Sequence, residues 1–160
     1  FEMTFKNAKY WSKKEHWQWA TEPNNREKAS FLRENIIPIQ VAGHLNFVEK
    51  EGELFNNFKT LFVNGHTEAQ MIPHITHKDK TIVFAADLLP STGHIPLPYV
   101  MGYDTKPLVT LGEKEKFLNE AAEKEYIIYL QHDNYSECCT VEKTERGVRL
   151  KEAFSLSEIL

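Results

Sequence analysis

The chain has 160 residues, enough for one domain with a sizeable core, and its 41% hydrophobic and 26% charged residues suit an ordinary soluble globular protein. A formal net charge of −4 argues against a nucleic-acid partner, because phosphate binding needs a concentrated basic surface, and Lys9, Lys13 and Lys14 lie beside Glu15 in a mixed face instead of a basic patch. No apolar run approaches the ~20 residues that span a bilayer and no signal-peptide pattern opens the chain, so no membrane partner is expected and the location reads as cytoplasmic.

In chain order, Lys6 to Trp19 begins extended and turns helical near Ser12, whose side chain can cap with Glu15 three residues on. Its Tyr10, Trp11, Trp17 and Trp19 are read as packing residues, with a substrate-pocket wall as the functional alternative. Asn24 to Asn35 follows as a helix with Phe31 and Leu32 facing inward, ended by Pro38. Leu45 to Val48 and Lys59 to Val63 are short strands, separated by turns at Gly52 and Asn56-Asn57. Thr81 to Ala86 is a continuous apolar run of the kind buried on both faces, and Pro90 to Pro98 is a loop punctuated by Pro and Gly. Leu111 to Glu125 is the clearest helix, with Phe117, Leu118, Ala121 and Ala122 on one face and Lys and Glu on the other. Tyr126 to Gln131 is a further buried strand, and Thr140 to Glu145 with Val148 to Phe154 forms a hairpin about Arg146-Gly147. No repeat, low-complexity tract or linker marks a domain boundary.

Cys138 and Cys139 are adjacent within an apparent strand and point to opposite faces, so neither a disulfide framework nor a C-x-x-C metal site is supported. Burial of at least one as a core residue is expected.

Three segments carry the chemistry: Val63-Asn64-Gly65-His66-Thr67-Glu68-Ala69-Gln70, Phe84-Ala85-Ala86-Asp87-Leu88-Leu89-Pro90 and Tyr129-Leu130-Gln131-His132-Asp133. In each, a run of strand-forming residues ends at a His or Asp, and imidazole with carboxylate is the ligand set of Zn²⁺ and its first-row neighbours. Their order resembles the C-terminal half of the metallo-β-lactamase-fold hydrolases. In that family a G-H-T-x-x-Q-type segment, a G-D or A-D segment and a late strand-end histidine supply metal ligands, and these roles fall on His66, Asp87 and His132. Trp19-Ala20-Thr21 to Phe31 and Gly102-Tyr103-Asp104 extend the likeness to lactonase- and phosphotriesterase-like members.

The resemblance implies an α/β (α+β) fold, one half of an αββα sandwich, with residues 1–160 as the C-terminal portion of a single domain. The family's H-x-H-x-D-H motif is absent: none of the seven histidines fits it, and His74 and His77 have the wrong spacing. With a start at Phe1, the remaining ligands are expected on a missing N-terminal half, which would also cover the sheet face that a half sandwich exposes. Otherwise self-association into a homo-oligomer is expected. The implied activity is hydrolysis of an ester, lactone or phosphoester-type bond in a small-molecule substrate by metal-bound hydroxide, with Asp87 as the catalytic, bridging carboxylate. Two divalent cations serve the complete domain, Zn most of all, with Mn and Fe as alternatives. The competing reading is a non-catalytic binding or structural module that keeps the half-fold without a full metal site.

Further expectations are weaker in origin. Thr67 and Gln70 are placed to orient His66, as ligating histidines require. Asp133 bonds either backbone or ligand, and His94 is a candidate for approaching substrate. Some lactonase-type members carry a tyrosine three residues after the bridging Asp, a position that is Pro90 here; Tyr99 and Tyr103 are the nearby substitutes. Geometrically, His66, Asp87 and His132 should meet at one edge of the sheet, while three ligands alone should hold a cation weakly.

Overall fold

The computed structural model describes residues 3–159, so the start at Phe1 lies outside the described residues. The chain divides into two compact units, Phe1–Glu51 and Gly52–Leu160. No linker marks the division, because the chain passes directly from one unit to the first strand of the next at Gly52, whose φ of 120° suits glycine.

The first unit is a βααβ arrangement. Strand β1 (Tyr10–Lys13) pairs in parallel with β2 (Leu45–Val48), and helices α1 (Lys14–Thr21) and α2 (Arg33–Val41) form the connection. The extended-to-helical change near Ser12 is present, but the expected Ser12 cap is not. Lys13 takes the N-cap position without a side-chain bond, and the Ser12 hydroxyl donates to the Lys13 carbonyl. The expected helix over Asn24 to Asn35 is also corrected. The Asn24 side chain accepts the backbone N–H groups of Arg26 and Glu27 and donates to the Glu27 carboxylate, which also takes the indole N–H of Trp19. Local bonds from an Asn side chain compete with helical ones, so the helix starts later, at Arg33, and Leu32 lies outside it half exposed. Pro38 sits inside α2 instead of ending it; the ring forfeits a single intrahelical N–H bond, which a short helix survives.

The second unit is a seven-stranded mixed sheet in the order β3-β4-β5-β6-β7-β8-β9. Its strands are β3 (Gly52–Phe55), β4 (Phe58–Val63), β5 (Gln70–His77), β6 (Lys80–Phe84), β7 (Ile127–Tyr129), β8 (Cys138–Thr144) and β9 (Gly147–Phe154). Only β6 and β7 pair in parallel, and helix α3 (Pro107–Glu123) lies in the connection between them. The α/β class therefore holds. Strand β5 escapes the sequence pattern because Pro73 interrupts it, although its pairing with β4 and β6 is continuous. The terminal hairpin forms as expected, with Gly147 at a φ of 88° after the turn.

The register sets Val83, Ile128 and Cys139 in one row, and these pack with Phe117, Leu118 and Ala121 of α3. On the opposite face Phe84 stacks on Tyr129 with centroids 5.8 Å apart. Both cysteines are free and buried, Cys138 in the Phe84 row and Cys139 in the core row. Burial pushes their thiols up to about 11 and about 12, which removes them as nucleophiles. The polar face expected of α3 is interrupted by Lys114, which is 1% exposed. No helix among the described residues is long and apolar enough to cross a membrane.

The loop after β4 lies hard against α3. A Cβ on Gly65 would stand 2.3 Å from the backbone nitrogen of Thr110 and 2.5 Å from its Cα, so one backbone must move. Gly65→Ala is expected to destabilise the protein by about 2–3 kcal/mol, at the upper end of overpacking costs, measured from the urea midpoint at constant slope. A loss under about 0.5 kcal/mol would mean that the loop lifts freely from the helix.

Candidate functional site

Topology brings the sequence-derived residues together. β4 and β6 each run antiparallel to β5, and β6 is parallel to β7, so the C-terminal ends of β4, β6 and β7 share one edge with the start of β5. His66 follows β4, Gln70 opens β5, Asp87 lies in a 3₁₀ turn (Ala86–Leu88) after β6, and His132 follows β7. The expectation that His66, Asp87 and His132 meet at one sheet edge is met.

Their contacts centre on the Asp87 carboxylate. His132 Nε2 is 3.2 Å from Oδ1, and His66 Nε2 is 3.7 Å from Oδ2. The Gln70 amide nitrogen donates to the same Oδ2 at 3.3 Å. Behind His66, Asp104 Oδ1 lies 2.9 Å from Nδ1, and the Asp104 side chain is fully buried. A carboxylate only accepts, so Nδ1 carries a hydrogen and Nε2 is the ring nitrogen turned toward Asp87. The residue that orients His66 is thus Asp104, which the sequence offered only within the Gly102-Tyr103-Asp104 likeness and without a role, while Gln70 holds Asp87 instead. Thr67 is buried beside them.

A set of main-chain bonds fixes this loop. The Glu113 carboxylate on α3 accepts the N–H groups of Asn64 at 2.8 Å and Gly65 at 3.0 Å. Thr105 and Lys106 donate their N–H groups to the carbonyls of His66 and Gly65, which places Asp104 against the imidazole. Lys106 pairs with Glu68. Asn64 Oδ1 accepts the N–H of Ala69, whose φ is 52°. Ala86, directly before Asp87, is likewise left-handed at 45°. Such backbone costs a residue with a Cβ about 1–2 kcal/mol, and strain of this kind gathers at functional sites.

The third segment is built differently. The His132 N–H donates to the Pro90 carbonyl at 3.0 Å, so Pro90 anchors the histidine's backbone. Asp133 is structural: its carboxylate accepts from the Thr92 hydroxyl and from the N–H groups of Thr92, Tyr135 and Ser136. Burial alone would raise its pKa, but these four bonds outweigh it and bring it down to about 2. His94 is tied to Ser91 Oγ at 2.8 Å, and Tyr99 and Tyr103 are exposed. The Lys114 ammonium gathers the carbonyls of His94, Pro96 and Tyr99, at 3.0, 3.3 and 2.6 Å. Burial lowers its pKa to about 8, against the raising effect of Asp104.

The donor chemistry suits a divalent cation. His66 Nε2 and Asp87 Oδ2 face each other across 3.7 Å, a separation that a shared cation or proton would make favourable. No group of three or more His, Cys, Asp or Glu side chains among the described residues converges on a single point, because the two imidazoles approach different oxygens of one carboxylate. Two further histidines have structural partners. His74 is buried with Nδ1 on the Ile72 carbonyl and its ring edge-on to Tyr126, and His44 bonds the Ala8 carbonyl.

No family model and no curated protein matches the sequence. Solved structures do. A probable metal-dependent hydrolase from Staphylococcus aureus superposes with a TM-score of 0.83 at 23% identity, over 96% of this chain and 54% of that one. The hydrolase AbOPH of the β-lactamase superfamily gives 0.75 at 18% identity, over 90% and 54%. AidC, a dizinc quorum-quenching lactonase solved with N-hexanoyl-L-homoserine as product, gives 0.74 at 20%, over 96% and 57%. At these identities the likeness is one of fold. The chain has the α/β fold of these metal-dependent hydrolases and spans about half the length of the solved structures it matches.

Lys114 provides a pH test of the loop. Its folded pKa is depressed below the unfolded value, so below about 8 the charge is carried in both states and stability is flat with respect to this group. Between about 8 and the ordinary lysine value the unfolded chain holds the extra proton, and stability rises with pH by at most about 1.4 kcal/mol per unit. Lys114→Met should be less stable, since three carbonyls lose their donor, and should lack this rise. Unfolding curves at pH 7, 8 and 9.5 measure both; parallel pH profiles would place the titration elsewhere.

Proposed function

We propose that the protein carrying this chain is a metal-dependent hydrolase acting on an ester, lactone or phosphoester-type bond of a small molecule. In this reading His66, Asp87 and His132 hold divalent cations, with Asp87 bridging them. The observation that carries it is the Asp87 carboxylate approached on separate oxygens by His66 and His132. The shared fold supports the same class of chemistry, and the dizinc lactonase among the matched structures favours zinc, with manganese and iron as alternatives. Bound there, such cations supply Lewis acidity, which acidifies water and polarises a carbonyl or phosphoryl oxygen.

The chain's own residues do the positioning. Asp104 sets the tautomer and plane of His66, Gln70 steers one Asp87 oxygen, and the Pro90 carbonyl fixes the backbone of His132.

Metal content after dialysis, combined with hydrolysis of a p-nitrophenyl ester, a γ-lactone and a phosphotriester, tests the proposal on the whole protein. Wild type should retain metal and hydrolyse at least one substrate, and Asp87→Ala should lose both. A wild-type protein that retains no metal and cleaves none of them would be the non-catalytic module. Asp104→Asn should lower metal affinity about 10–100-fold, the usual cost of removing a ligand's hydrogen-bond partner, and isothermal titration should detect it. Unchanged affinity would show that His66 needs no support from Asp104.

A further inference from the structure

A hollow of about 360 Å³ opens between the segment after Asp87, the middle of α3 and the turn of the terminal hairpin. That volume is within the range of small-molecule pockets, and none of the residues lining it belongs to the Asp87 cluster. Its floor is apolar. Ile95 and Leu118 are 1% and 2% exposed, and Val148 packs against the same core. One wall is fixed in advance: Ile95 and Leu97 alternate with His94 and Pro96, whose carbonyls the Lys114 ammonium holds.

The hairpin contributes charge to this apolar hollow. Arg146 and Arg149 both line it, and Arg149 is half-buried. Arg149 Nη1 donates to the Val148 carbonyl at 2.7 Å, which leaves most of its donor fork open. No carboxylate among the described residues pairs with either guanidinium. Glu115 of α3 lines the same hollow without closing on them. A partly desolvated charge is costly unless it is paired, so the open fork over an apolar floor is matched by an anion with a hydrocarbon body.

We infer that this hollow is a binding site for a small apolar carboxylate, its oxygens on the Arg149 fork beside Arg146 and its hydrocarbon part on Ile95, Leu97 and Leu118. The charge of the lining selects a monoanion. Two guanidinium groups against the single Glu115 carboxylate leave one positive charge to be balanced. The planar fork suits the two oxygens of a carboxylate, and a more strongly hydrated dianion such as inorganic phosphate loses more by meeting the apolar floor.

Titration calorimetry of the whole protein with 4-phenylbutyrate, its neutral amide and inorganic phosphate tests the inference. The acid should bind with a dissociation constant of about 1 mM or below, and the amide about tenfold more weakly or worse, because it lacks the charge-assisted bonds. Arg149→Gln should weaken the acid by a similar factor. Asp87→Ala should keep it within about twofold of wild type, whereas a carboxylate held by cations at the proposed metal centre would be lost with Asp87. Four results each overturn the inference: no saturation by about 10 mM acid, an amide that binds as tightly as the acid, phosphate that binds more tightly than either, or binding that vanishes in Asp87→Ala and survives in Arg149→Gln. The comparison of acid with amide uses wild type alone, so it stands even if Arg149→Gln fails to fold. Failure here leaves the proposed metal-dependent hydrolysis untouched.

Discussion

Everything at this site depends on one carboxylate being held with each oxygen facing a different imidazole. Asp87 could reach that position from many backbones, but here it rides on a left-handed alanine just after β6, whose residues are mostly half-buried where the apolar run predicted a strand buried on both faces. The strands on either side then decide what it meets. Because β4, β6 and β7 all finish at the same edge, each delivers one polar group to the same small space. A sheet with β6 and β7 antiparallel would have put His132 at the far end.

Helix α3 does more than cover the core. Phe117, Leu118 and Ala121 bury against the sheet, while the helix's first half is spent on loops. Glu113 receives two main-chain N–H groups of the His66 loop, Thr110 stands against Gly65, and Lys114 gathers three carbonyls of the segment after Asp87. One rigid element therefore fixes the loops on both sides of Asp87. Burying an ammonium is costly, and three carbonyl acceptors are what make Lys114 tolerable there.

What the sequence revealed and what it hid divide along physical lines. Strong apolar runs gave β6, β7 and the terminal hairpin, and helical spacing gave α3 within a few residues of its bounds. Strand β5 was hidden by Pro73, and the helix over Asn24 to Asn35 was lost to side-chain bonds from Asn24 that no periodicity reveals. At the site, His66, Asp87 and His132 were legible through the likeness of their three segments, each a strand-forming run ending at a His or Asp, to a known ligand pattern. The role of Asp104 was not, although its segment was named: it comes from the loop before α3, and the main-chain bonds of Thr105 and Lys106 bring it to His66. Lys114 was masked by chemistry, since a lysine among Lys and Glu on a helix is usually solvated.

The two sides of Asp87 differ in their surroundings. The His66 side chain is 20% exposed and backed by the fully buried Asp104, whereas the His132 side chain is 53% exposed. Fixed, buried partners favour a position that keeps its occupant, and an open histidine favours one whose contacts can change.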